Sequence, residues 1–286
     1  MDGWRGSDST GGGRGGDGWA MTYEDVKYEI ADDGVATLTI NRPEVMNALR
    51  PQTTREMAKV IDDVRTNDAV RCLVLTGEGR GFCAGDDFQA IFLAEDRGNR
   101  KIDRQINRIK HGEASLDVIF GLEKPTIAAL NGAGVGYGMD IALYCDIRIA
   151  SPRAKLGWFF VRRGVMGTIG GTFVLRQLVG LSKALELTLT GDLVDAEEML
   201  RLGLVSKVVP EDQLMDETYA LARKIAAGPP LAQQAIKRSF HKSFEIPWQS
   251  LGEYQQALGD VLWETDDHME GVKSFMEKRD PVFKGR

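Results

Sequence analysis

The stretch Thr126-Ile127-Ala128-Ala129-Leu130-Asn131-Gly132-Ala133-Gly134-Val135-Gly136-Tyr137-Gly138-Met139-Asp140 decides the reading of this chain. Thr126–Leu130 reads as a short strand. A glycine-rich turn follows and opens a helix that runs to about Tyr144. Cys145-Asp146-Ile147-Arg148-Ile149-Ala150 then returns the chain to a strand over Ile147–Ala150. A strand that turns through glycines into a helix start gathers backbone N–H groups and the positive end of a helix dipole at one point. That suits an oxygen on which negative charge develops. The glycine spacing is also a loose match to a dinucleotide-binding turn. Its position in the chain and the missing acidic ribose partner after a second strand argue against that use.

Upstream, an apolar strand over 72–76 leads into Gly77-Glu78-Gly79-Arg80-Gly81-Phe82-Cys83-Ala84-Gly85-Asp86-Asp87-Phe88. Glycines here allow tight turns and close approach of a ligand, and turn amides can bind an anion or oxyanion. Before it stands a hairpin, Val26–Ile30 and Val35–Ile40, around Asp32-Asp33-Gly34. The helix expected from Pro51 to about Thr66 places Met57, Val60, Ile61 and Val64 on one face. The polar stretch from 77 to about 112 is long enough for a functional lid with some helix.

Downstream, residues 154–164 read as a strand, a turn and a helix start, with Trp158, Phe159 and Phe160 as an apolar cluster. Helices are expected around 171–179 and 183–190, and a last strand over 205–209. Helical patterns then cover roughly 211–226, 231–240, 248–264 and 267–278. The fold class is α/β, with an α-helical C-terminal part. Residues 1–20 form a glycine-rich tail expected to be disordered, 21–210 the α/β core and 211–286 the C-terminal helical region.

The net charge of −6, without a basic run, makes nucleic acid and anionic membranes poor partners. No apolar stretch is long enough to span a bilayer, and the first residues lack the layout of a secretion or mitochondrial signal. Cys72, Cys83 and Cys145 share no metal spacing and read as buried small hydrophobes, so no metal site is expected. A reducing cytoplasm is the simplest compartment.

Taken together these segments resemble the crotonase superfamily, the enoyl-CoA hydratase/isomerase family. Asn41-Arg42-Pro43 with Asn47-Ala48-Leu49 is similar to its early motif. Phe82-Cys83-Ala84-Gly85 with Asp87 is similar to its first oxyanion segment, and Asn131-Gly132 through Ala150 to its second. Glu270-Gly271-Val272, Phe275, Glu277-Lys278-Arg279 and Pro281-Val282-Phe283 match near the end, so the resemblance covers about residues 24–285.

The resemblance implies a crotonase-like spiral of ββα units, a helical trimerisation region, and homotrimers or homohexamers. It implies an acyl-CoA substrate and no cofactor beyond that coenzyme A. The thioester carbonyl would lie between the backbone amides of Asp86 and Tyr137. Backbone groups of Ala84, Asp86, Asp87 and Phe88 would meet the adenine end. Phe275 and Lys278, of the same or a neighbouring subunit, would contact the coenzyme. Glu44 stands where the family often has a phosphate-binding base.

The family's default activity is hydration of a 2-enoyl-CoA with two glutamates. Here Asp140 stands at the first position as the proton carrier and Phe160 at the second. A phenyl ring transfers no proton, so isomerisation, decarboxylation and β-keto thioester C–C hydrolysis are alternatives. A noncatalytic acyl-CoA binding protein is the alternative from another class. The aromatic residues 158–160 point to an apolar or cyclic acyl group. Arg162, Arg163, His111, Glu113 and His268 are expected to be solvated, paired or capping rather than catalytic.

Overall fold

A computed structural model of the chain describes residues 23–87, 89–90, 116–167 and 170–286. The expected disordered tail, Phe88, His111, Glu113 and most of the expected lid lie outside the described residues.

The chain opens with antiparallel strands β1, Val26–Ile30, and β2, Val35–Ile40, in register from Val26 opposite Ile40 to Ile30 opposite Ala36. Gly34 takes φ +81° at the turn, and Asp33 Oδ1 accepts the Val35 amide at 3.0 Å. Helix α1, Pro51–Thr66, starts on its proline and buries Met57, Val60, Ile61 and Val64. Strands β3, Cys72–Gly77, and β4, Gly81–Cys83, follow. Next come β5, Thr126–Leu130, β6, Ala133–Val135, and helix α2, Tyr137–Tyr144. Strands β7, Ile147–Ala150, and β8, Lys155–Gly157, continue the series.

The strands form two sheets. The larger has the order β1-β2-β3-β5-β7 and is parallel from β2 onward. The smaller sets β4, β6 and β8 side by side in parallel. Each winding of the chain therefore gives one strand to the large sheet and the next to the small one. This is the spiral expected of the fold.

A π-helical turn, Gly170–Leu175, leads into helix α3, Arg176–Val179, where a single helix was expected. Helix α4, Leu181–Thr190, strand β9, Leu193–Asp195, and helix α5, Ala196–Arg201, follow. Strand β9 closes the small sheet antiparallel to β8. Strand β10 is only Lys207–Val208, shorter than the expected 205–209, and adds to the large sheet beside β7. Helices α6, Leu214–Ala226, α7, Pro230–Lys242, α8, Trp248–Trp263, and α9, Asp266–Glu277, complete the chain.

The central strands β3 and β5 are buried on both faces, which is why they are mostly apolar. Side chains alternate across the sheet. Leu73, Leu75, Ala128 and Leu130 face a core shared with α1 and α2. Cys72, Val74, Ile127 and Ala129 face a second core closed by Leu214, Ala222 and Ala226 of α6. Helix α7 is tied to the sheet by Lys237, whose Nζ donates to Asp146 Oδ2 at 2.7 Å and to the Lys124 carbonyl at 3.1 Å.

Where α2 crosses β4 the two backbones nearly touch: a Cβ on Gly138 would stand 2.1 Å from the Cys83 carbonyl oxygen. Gly138→Ala must therefore push α2 off β4, and overpacking of this kind costs about 1–3 kcal/mol. Thermal denaturation should show a fall in the unfolding midpoint of several degrees.

Candidate active site

The pairing of β4 with β6 brings the two glycine-rich turns into contact. A Cβ on Gly132 would lie 2.0 Å from the Arg80 carbonyl oxygen. One on Gly85, which has φ +81°, would lie 2.7 Å from the Val135 oxygen and 3.1 Å from the Tyr137 nitrogen. Only glycine permits such approach. Asn131 stitches the crossing: its Nδ2 donates to the carbonyls of Gly79 at 2.9 Å and Gly81 at 3.0 Å. Asn47 Nδ2 donates to the Glu78 and Gly81 carbonyls at 2.9 and 2.8 Å, and its Oδ1 accepts the Arg42 amide. The early Asn-Arg-Pro and Asn-Ala-Leu segments thus hold the first turn in shape.

Asp86 forms an isolated parallel bridge with Leu49. The Leu49 amide donates to the Gly85 carbonyl at 2.7 Å, and the Asp87 amide to the Leu49 carbonyl at 2.9 Å. Backbone alternation then points the amide of Asp86 away from Leu49, toward the side where Gly85 meets Tyr137. Tyr137 is the first residue of α2, where N–H groups have no acceptor within the helix. Gly85, the neighbour of Asp86, is thus the residue packed against the Tyr137 backbone. The Tyr137 phenol oxygen accepts the Leu116 amide at 2.8 Å inside the protein, so its side chain serves the fold.

The Ala84 amide is committed to the Met46 carbonyl, as the Asp87 amide is to Leu49. Any contact of these two backbones with a ligand falls to their carbonyl oxygens. The Asp87 carboxylate is structural: Oδ1 accepts the Ala90 amide at 3.1 Å and Oδ2 the Arg42 guanidinium at 3.0 Å. Burial pushes its pKa up, but the Ala90 amide and Arg42 outweigh it and hold the group below its ordinary 3.8.

Asp140 lies in the first turn of α2, three residues beyond Tyr137, and is fully buried. The indole Nε1 of Trp158 donates to its Oδ1 at 3.1 Å. Trp158 meets Phe160 edge to face, with centroids 5.6 Å apart. Asp140, Trp158 and Phe160 therefore form one continuous wall. Trp158, part of the apolar cluster seen in the sequence, is buried. Its bond to Asp140 was missed, although an indole N–H inside an apolar run is a signal that an acceptor stands nearby. At its other end α2 is capped by buried Arg148, whose Nη1 donates to the Cys145 carbonyl at 2.6 Å.

Within one chain Phe275 and Lys278 are not brought to this wall. Phe275 is 82% exposed and borders a trough with Trp263 and Phe283, and Lys278 is the left-handed cap of α9. Arg162 pairs with Asp192, and the His268 amide donates to Thr265 at the start of α9. The three thiols are buried, and burial pushes each up to about 12. Among the described residues no group of acidic, histidine and cysteine side chains could hold a metal ion, and no helix is long and apolar enough to cross a membrane.

Two sheets wound as a spiral, with two glycine turns and a buried carboxylate near one crossing, define an α/β protein of the crotonase fold class. The chain belongs to the enoyl-CoA hydratase/isomerase (crotonase) family, whose family model matches residues 31–286. It is 38% identical over 261 residues to an (E)-benzylidenesuccinyl-CoA hydratase of Thauera aromatica, covering 91% of this chain and 99% of that one. It is 34% identical over 264 residues to a 1,2-epoxyphenylacetyl-CoA isomerase of Escherichia coli, covering 89% and 97%. A solved enoyl-CoA hydratase from Bacillus anthracis superposes with a TM-score of 0.84 at 28% identity, covering 92% and 100%. The family read from the motifs is thereby established, as is action on an acyl-CoA.

Asp87 allows a test of the turn. Its folded pKa is depressed, so its stabilisation is present above the unfolded value and is lost as pH falls through the folded one. Asp87→Asn should lower stability to denaturant at pH 7, and the gap from the parent should narrow below about pH 4.

Proposed function

We propose that this protein isomerises the double bond of an enoyl-CoA through an enolate, with Asp140 carrying the proton. The observation that carries this reading is the single helix turn that holds both the Tyr137 amide and the buried Asp140 carboxylate, faced by aromatic residues. The amides of Asp86 and Tyr137 hold the thioester oxygen. As charge builds on that oxygen the carbon beside it becomes acidic. A preorganised donor of this kind is worth about 2.7–4 kcal/mol in comparable sites. Asp140 takes a proton from C2 of a 3-enoyl thioester, electrons move into the carbonyl, and the same carboxyl returns the proton to C4. The product is the 2-enoyl thioester. One carboxylate suffices, which fits Phe160 where hydratases have a second acid.

Hydration is the second reading, favoured by the hydratase name of the relative from Thauera aromatica. The Trp158 and Phe160 rings support an apolar, cyclic or aromatic acyl group. The two named relatives, by their names, act on aromatic acyl-CoAs.

Exposed apolar surfaces support assembly of several copies, with a homotrimer as the simplest form. A trough of about 670 Å³ lies among α7, α8 and α9, bordered by Leu231, Trp263, Val272 and Phe275. A separate ridge, Leu181, Leu185 and Leu189, is exposed along α4. Patches of this kind mark interfaces. A neighbouring copy would then be the one that meets coenzyme A with Phe275 and Lys278. Three buried, unbridged cysteines are in keeping with a reducing cytoplasm.

Mass spectrometry of 2-enoyl, 3-enoyl and β-keto thioesters in heavy water and in oxygen-18 water tests the reaction. Isomerisation gives deuterium uptake with no added water. Hydration adds water carrying oxygen-18, and loss of carbon dioxide or of an acyl fragment would indicate decarboxylation or C–C hydrolysis. Bound thioester with no exchange at all overturns the enzymatic reading in favour of a binding protein. Asp140→Asn should cut turnover about 10²–10⁴-fold while coenzyme A affinity holds.

A further inference from the structure

We infer that Trp158 is a positioning residue that keeps Asp140 ionised, so that the resting enzyme starts as a base. The inference rests on Asp140 being the proton carrier. The indole Nε1–H reaches Asp140 Oδ1 at 3.1 Å in a buried setting. An indole N–H donates and never accepts. It therefore bonds the carboxylate well, offers nothing to a carboxylic acid's proton on that oxygen, and relays no proton. A hydrogen bond to the charged form favours that form, against the burial that opposes it.

The surroundings are shaped to hold the indole in this pose. A Cβ on Gly171 would stand 2.1 Å from Trp158 Cε2, and one on Gly167 would stand 2.3 Å from its Cζ2 and 2.6 Å from Phe160 Cδ2. A Cβ on Gly170 would stand 2.7 Å from Asp140 Oδ1 itself. Three glycines thus form a flat shelf against which carboxylate and indole lie together. The Phe160 ring closes the far edge of the indole.

Among the described residues, the ionisable groups on the elements packed most closely against α2 are Cys83 on β4 and Asp117 on the turn Leu116–Ile119, with Asp86 just beyond β4. Burial pushes the Cys83 thiol up to about 12. Tyr137 and Tyr144 lie on α2 itself, and Arg148 sits at its far end. Asp117, on an element packed against α2, serves as the carboxylate control.

The pH profile of kcat/KM gives the test. Trp158→Phe keeps an aromatic ring beside the shelf and removes the donor together with part of the indole. The acid limb should move upward by about one to two units, with kcat reduced below it and coenzyme A affinity unchanged. Asp117→Asn should leave the limb in place. If Trp158→Phe leaves the limb where it was while Asp140→Asn abolishes turnover, the positioning role is overturned and the proton-carrier reading stands. Full activity in Asp140→Asn overturns both. Should Trp158→Phe not fold, the parent protein labelled with 15N-tryptophan answers the question. One of its five indole N–H signals must titrate with the acid limb and lose that titration in Asp140→Asn. No titrating signal overturns the proposal.

Discussion

The carbonyl oxygen of Gly81 accepts hydrogen bonds from two side-chain amides, Asn47 from one side and Asn131 from the other. That shared acceptor fixes the first glycine turn against the second, and the site exists only where the two turns meet. Each bond is worth about 0.5–1.5 kcal/mol, but their value lies in geometry. Asn47 reaches its place with φ +57°, a left-handed conformation that asparagine tolerates better than most side chains. Its Oδ1 accepts the Arg42 amide, and the Arg42 guanidinium reaches Asp87. A chain of polar contacts so runs from the early motif to the residue beside Asp86.

Strand β7 plays a comparable part on the other side of the molecule. Asp146, just before it, accepts the Thr126 amide and the Lys237 ammonium, so the C-terminal helices are anchored to the sheet. Arg148, within it, donates to the last carbonyls of α2 and to the Leu204 carbonyl. Two charged residues of one short segment hold the helical tail and the site helix by different partners. Buried arginine in this position also balances the negative end of the helix dipole.

The large sheet was legible because β3 and β5 are short apolar runs and β1 and β2 flank a turn signal, and α1 because Met57, Val60, Ile61 and Val64 recur at helical spacing. The small sheet was not. Its strands are three residues long, and β4, β6 and β8 each contain glycine, so neither alternation nor length marks them. Their pairing follows from the crossing of glycine turns, a tertiary fact. The π-helical turn at Gly170–Leu175 escaped for a similar reason: its glycines read as a poor helix, when they are shaped by what lies against them. In the site, the motif singled out Asp86, Tyr137 and Asp140, of which Tyr137 and Asp140 share the first turn of α2. It did not reveal that the Tyr137 side chain turns inward or that Trp158 binds Asp140. Such contacts depend on side-chain direction across separate windings of the chain.

The amide of Tyr137 and the carboxylate of Asp140 share one turn of one capped helix. The spacing of their Cα atoms is thus written in backbone geometry, and the reach of the carboxylate is set by the length of one side chain. The facing wall of Trp158 and Phe160 is written in side chains alone. One half of the site behaves as fixed tooling and the other as a replaceable insert. Variation confined to a few codons around 158–160 would reshape this wall while leaving the backbone of the first turn of α2 in place.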